Sequence, residues 1–282
     1  MKNRFPLQGW LGLGLIAVFW PLNWLLAGPR SHWGFFPLWL GYCLTVDGLV
    51  FLRKGTSLYT RDKWKYLVLF LLSVPLWWLF EAFNLRLGNW IYLGKDHLPP
   101  LSYALLASLS FSTVIPAVLG SAELMGSLPF LQKLTNGPRW NPGRAVEMIV
   151  FALGWLSAAA LLIWPDLFFP LVWLSVYFIL APINRWLGNR SLLDWTRVGD
   201  WRPLGALFLG VWMTAFFWEM WNVHSYPKWI YDIPYWEFGH IFEMPLLGYF
   251  GYLPFSLEIH AFVRLILGFL GWTDYLQLLP EA

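Results

Sequence analysis

Eight apolar runs follow one another along this chain, near 9–27, 33–52, 65–83, 101–120, 146–164, 167–184, 203–221 and 239–257, and most of the charge lies between them. A helix that spans a bilayer needs about 20 mostly apolar residues. The pattern predicts an all-α, polytopic membrane protein with about eight transmembrane helices. Charged residues make up 12% of the chain and hydrophobic residues 58%. A soluble domain carries about 25% charged residues, so this composition excludes a disordered chain, a coiled coil and an ordinary soluble enzyme. The first run lacks a small-residue cleavage site and is expected to stay as a span rather than act as a secretory signal. The single cysteine, Cys43, leaves no basis for a disulfide framework or a cysteine-based zinc site.

Charge placement orients the spans. Cytoplasmic loops are enriched in Lys and Arg. With eight spans one side receives Lys2, Arg4, Arg53, Lys54, Arg61, Lys63, Lys65, Lys133, Arg139, Arg144, Arg185, Arg190, Arg197, Arg202 and Arg264, and the other only Arg30, Arg86, Lys95 and Lys228. This predicts a cytoplasmic-membrane protein with both termini in the cytoplasm. Loop basicity already has an orienting role, so no nucleic-acid partner is expected; the expected partners are membrane lipids.

The chain also repeats itself. Residues 80–92 read FEAFNLRLGNWIY, and residues 218–231 read WEMWNVHSYPKWIY. Glu81 precedes Pro116 by 35 residues, and Glu219 precedes Pro254 by 35. Upstream, FFPL occurs at 35–38 and at 168–171. These matches predict a tandem duplication, 1–135 and 136–282, each half with four spans. An even number of spans inserts both copies in one orientation, as parallel repeats about an axis along the membrane normal. Pro116 and Pro254 each interrupt the last apolar element of a half, because proline removes a helix hydrogen bond.

Ionisable groups within a bilayer are costly and mark functional sites by default. Glu81 and Glu219 are the repeated acids. Asn84 and Asn222 lie three residues on and share a helix face with them. Trp90, Tyr92, Trp229 and Tyr231 follow at the interface, where they serve either as anchors or as pocket walls whose aromatic faces stabilise cations. The second copy adds His224, Glu237, His240 and Glu243. On a helix, 237–243 would turn Glu237, His240 and Glu243 toward one cavity, with Glu243 deepest. Asp47 is expected near Arg53, and Glu123 near Lys133 or Arg144. His260 and Arg264 are expected on one helix face. Histidine is too sparse for a membrane di-iron site, and Glu237–His240 is the one Glu-x-x-His pairing. No metal or cofactor is expected.

The second copy resembles the integral-membrane lycopene cyclase domains of bacterial heterodimeric and fungal bifunctional carotenoid enzymes. In that family a Phe-Trp-Asp-Asn-Tyr-like segment precedes a Trp-x-Tyr, and a Pro-Leu-Glu-Glu segment opens the next span. Here Phe217, Trp218, Glu219, Trp221, Trp229 and Tyr231 stand in for the first part, with Glu219 in place of the family's Asp. Glu243, Met244, Pro245 and Leu246 fall near the second, with the acid before the proline. The resemblance implies cofactor-free acid catalysis on a polyene isoprenoid by a cyclase, hydratase or isomerase. In that reading Glu219, Glu243 and Glu81 are the acid–base residues. Asn84, Asn222 and His224 orient these acids, and together with His240, Trp90, Tyr92, Trp229 and Tyr231 they make up the substrate-binding pocket. A proton-coupled transporter and a non-catalytic scaffold stay open as alternatives.

Overall fold

The computed structural model describes residues 4–26, 28, 31–235 and 238–280. The protein is nearly all helix. In order come α1 (Leu7–Leu25), α2 (Ser31–Lys54), the one-turn α3 (Leu58–Arg61), α4 (Lys63–Leu87) and strand β1 (Trp90–Leu93). Then follow α5 (Pro100–Phe111), α6 (Val114–Gly126), α7 (Arg144–Ile163), α8 (Pro165–Phe168), α9 (Val172–Trp186) and α10 (Leu193–Thr196). The chain ends with α11 (Arg202–Asn222), β2 (Lys228–Tyr231), β3 (His240–Ile241), β4 (Met244–Pro245) and α12 (Tyr252–Phe269).

Among the described residues, seven helical segments are long and apolar enough to cross a membrane: His32–Lys54, Lys63–Leu87, Pro100–Gly126, Arg144–Ile163, Pro165–Trp186, Arg202–Asn222 and Leu246–Phe269. The eighth expected span is α1. It is a charge-free helix of 19 residues, but Gln8, Asn23 and three tryptophans lower its hydropathy. α7 shows outward what a lipid-facing helix shows, with Met148, Ile149, Trp155, Leu156 and Ile163 exposed.

Local chemistry sets the helix ends. The Asp62 carboxylate accepts from the backbone N–H groups of Trp64 and Lys65 and starts α4. Gly88 ends it in the left-handed conformation, φ 69°. The two prolines act one turn upstream of themselves. Pro116 is the third residue of α6, and the chain breaks at Ser112–Thr113, where the proline ring would meet the carbonyl four residues back. Ser73 fills that break: its hydroxyl donates to the Phe111 carbonyl (2.7 Å) and accepts from the Ile115 N–H (3.0 Å). Such breaks persist in apolar surroundings where protein satisfies the freed groups. Pro254 is likewise the third residue of α12, behind a 3-10 turn at Leu246–Gly251. The expected span at 239–257 therefore starts later, at Leu246.

Two interhelical contacts differ in side-chain size, and the difference opens the interior. α11 lies directly along α6. Gly210 faces the Ala122 backbone so closely that a Cβ would collide with it. Ala117 and Ala215 are fully buried on these two helices. The positions 138 residues away from Ala215 and Ala117 are Trp77 on α4 and Phe255 on α12. Their rings meet at 5.8 Å, edge to face, with Phe80 adding a 5.4 Å contact to Phe255. Large rings hold α4 and α12 apart where alanines and a glycine let α6 and α11 close.

Charge is concentrated at the other end of the bundle. Glu123 is fully buried and pairs with Lys54 (3.4 Å) and with Arg61, while its Oε1 also accepts from the Gln277 N–H. Arg53 bonds Ser127, Arg202 bonds Gln132 and Arg190 pairs with Asp274. Two expected pairings are thereby corrected. Glu123 is reached by the α2 and α3 cations because α6 runs back beside α2, rather than by Lys133 or Arg144. Asp47 receives Ser57 Oγ (2.8 Å) and Tyr59 N (2.9 Å) rather than Arg53. His260 and Arg264 do meet, at 3.3 Å.

Candidate functional site

The two Trp-Ile-Tyr segments pair with each other. β1 and β2 form an antiparallel ladder with Trp90 opposite Tyr231, Ile91 opposite Ile230, Tyr92 opposite Trp229 and Leu93 opposite Lys228. The register is self-complementary, since the central isoleucines face each other and each Trp faces the other strand's Tyr. Side chains alternate across a strand. Trp90, Tyr92, Trp229 and Tyr231 therefore share one face of the ladder, and Ile91 and Leu93 point outward.

The two asparagines hold these strands in the same way. Asn84 donates from Nδ2 to the Trp90 carbonyl (2.8 Å) and accepts from the Trp90 N–H (3.3 Å). Asn222 does the same with Trp229, at 2.6 and 2.9 Å. Both amides are thus used up in fixing the strand starts, so they position the wall and do not face a ligand.

The glutamates lie behind the same strands. Glu81 Oε1 accepts from Tyr92 OH (2.7 Å), Trp90 Nε1 (3.0 Å) and Trp77 Nε1 (3.0 Å). Glu219 Oε1 accepts from Tyr252 OH (2.6 Å) and Tyr231 OH (2.7 Å), and Trp229 Nε1 donates to the Tyr231 oxygen (2.9 Å). Glu219 is fully buried, and its Oε2 meets no partner. Burial first, and the neighbouring carboxylate second, push the Tyr92 and Tyr231 hydroxyls well above the usual phenol range, so both keep their protons at neutral pH.

A cavity of about 360 Å³ lies under the ladder. All four ladder aromatics line it, with Trp77, Trp173, Trp218, Tyr252 and Phe255 below and Tyr103 at the side. Segments from both halves of the chain surround it. Trp173 stacks on Phe80 (5.4 Å) and Trp90 (6.0 Å), while Trp39 packs on Trp218 (5.3 Å) and Phe35 on Trp229 (6.1 Å). Tyr92, Tyr231 and Tyr252 line the cavity and bond the two carboxyls, neither of which lines it.

The further candidates His224, His240 and Glu243 sit elsewhere. His240–Ile241 and Met244–Pro245 form a short β-hairpin, with Phe242 at φ 56° in the turn. The helical spiral expected at 237–243 is thus a hairpin, and Glu237 lies outside the described residues. Glu243 is not deep: its side chain is 28% exposed and pairs with Lys228 at 2.5 Å. His240 is exposed in β3. His224 is exposed beside Trp24, with ring centroids 5.1 Å apart. Neither histidine lines the cavity.

Sequence reasoning missed Tyr252, Trp77, Trp173 and Phe255. Tyr252 could have been found two residues before Pro254, at the break that brings it toward Glu219. Trp77 stands one helical turn before Glu81. Comparison with models of protein families, with curated proteins and with solved structures finds no match for this chain.

Proposed function

We propose that this chain is a membrane-embedded enzyme that protonates a double bond of an isoprenoid polyene and guides the resulting carbocation to an isomerised, cyclised or hydrated product. The observation that carries the proposal is the shared aromatic cavity, lined by three tyrosines whose hydroxyls bond two glutamates outside the lining. We read the chain as two parallel four-helix repeats with the basic end cytoplasmic. The self-complementary ladder and the twin asparagine clamps support this. So does the gathering of basic loops at the end away from the cavity.

In this reading Glu219 is the acid. With its proton in place one of the Tyr252 and Tyr231 contacts runs in reverse: the carboxyl donates to that phenol's oxygen, the phenol's own hydroxyl turns to the cavity, and the other tyrosine still donates to Glu219. The alkene carbon takes the phenol proton as the phenol regains one from Glu219. The cation lies among Trp90, Trp229 and Phe255, whose ring faces stabilise positive charge. Loss of a proton from the neighbouring carbon back through the tyrosine to Glu219 gives a product of unchanged mass. Capture by water, with the surplus proton of the bound water returning by the same route to Glu219, adds one water. Positioned acid–base groups contribute about 10²–10⁴-fold to rate. Glu81, with two indoles and one phenol already on Oε1, serves as the second carboxyl of the site. Glu243 has no part in it, because Lys228 neutralises it outside the cavity.

A non-catalytic scaffold is the second reading, favoured by the bonds that already occupy Oε1 of both glutamates. Lipid extracts from isoprenoid-producing cells with and without the chain, read by liquid chromatography and mass spectrometry, separate the two. An isoprenoid shifted in retention at equal mass, or heavier by one water, is the expected result. Identical profiles across hosts that make different polyenes favour the scaffold.

A further inference from the structure

We propose that the cavity takes an isoprenoid bearing a hydroxyl group, and that the side-chain amide of Asn89 receives it. This rests on the cavity being an isoprenoid site and names a feature of the ligand. Asn89 stands between the left-handed Gly88 and the first residue of β1, and its carbonyl accepts the Asp232 N–H at 2.9 Å, so its backbone is pinned at one end of the ladder. It is 5% exposed, it lies on the cavity wall, and its Oδ1 is buried without a partner. Asn84 and Asn222, a few residues away in each repeat, use both amide atoms. The residue at the matching place before the second Trp-Ile-Tyr is Lys228, and it is neutralised by Glu243. Asn89 alone of these four has a buried polar atom without a partner.

A buried amide oxygen without a donor destabilises a fold, so each such group needs an explanation. His32 adds a second case: its Nε2 is also buried and unpartnered on the same wall, beside Tyr226 at the opposite end of the ladder. A pure hydrocarbon would leave both atoms without partners. A hydroxyl on the ligand donates to Asn89 Oδ1 and removes the deficit there, while the apolar chain fills the space between the aromatic rings.

The test uses purified full chain in nanodiscs, titrated with geranylgeraniol and with its methyl ether, which keeps the shape and loses the donor. Tryptophan emission reads binding, since Trp90 and Trp229 line the cavity. The wild type is expected to bind the alcohol about tenfold more tightly than the ether. Asn89→Leu is expected to abolish that preference and leave ether binding unchanged, which also shows that the cavity is intact. Equal binding of the two compounds by the wild type overturns the hydroxyl inference and leaves the isoprenoid reading standing. Binding of neither removes both. Should the leucine variant bind nothing, Asn89→Ala is read in its place. A kept preference in either variant, or loss of the ether from both, overturns the assignment to Asn89.

Discussion

Glu219→Gln is expected to lower turnover by about 10²–10⁴-fold while the protein still inserts and folds. Glutamine keeps the shape of the side chain, and its carbonyl oxygen still accepts from Tyr231 and Tyr252, so the packing around the fully buried position is preserved. What is lost is the proton. Glu81→Gln is expected to cost less, because Trp77, Trp90 and Tyr92 already bind its Oε1 and the phenol–phenol pair around Glu219 has no counterpart there. Product formation by membranes carrying equal amounts of each protein measures both. Full activity in Glu219→Gln would remove the carboxyl from the chemistry.

Glu123→Ala is expected to destabilise the protein by about 3–5 kcal/mol, the cost of leaving buried cations without their partner. Lys54 and Arg61 both converge on this fully buried carboxylate, and the Gln277 N–H is satisfied by it as well. The same network ties the C-terminal segment to the bundle. Lys54 Nζ bonds the Gln277 carbonyl (2.7 Å), Tyr275 OH bonds the Leu58 carbonyl (2.9 Å), and Arg264 holds the carbonyls of Thr273 and Leu276. The alanine variant is therefore expected to lose that segment first, seen as faster proteolysis at the C-terminus and a lower melting temperature in detergent. An unchanged melting temperature would show that the cations find solvent instead.

The parts of this architecture that depend on local order along the chain were legible in it. Apolar runs marked the long apolar helices, Pro116 and Pro254 marked the breaks, and the helical spacing of His260 and Arg264 brought them together. The repeated Glu, Asn and Trp-Ile-Tyr located both halves of the site. Their pairing was not legible, because β1 and β2 are four residues each and lie far apart in sequence, and an antiparallel register leaves no local period. The 237–243 segment misled for a related reason. Residues spaced i, i+3 and i+6 suit a helix, but Gly239 at φ 63° and Phe242 at φ 56° turn the chain into a hairpin. Glu243 then finds Lys228, the residue that opens β2. The cavity itself arises from size differences, Trp77 against Ala215 and Phe255 against Ala117, which carry meaning only once the helix neighbours are known.

The central claim is that a proton passes from the buried carboxyl through a tyrosine to carbon. Membranes carrying the chain, incubated in D₂O with the isoprenoid identified from the cell extracts, test it most directly. Glu and Tyr protons exchange with solvent, so the account predicts a product with one deuterium bound to carbon, absent in Glu219→Gln membranes. A product formed at the normal rate with no deuterium on carbon would contradict it.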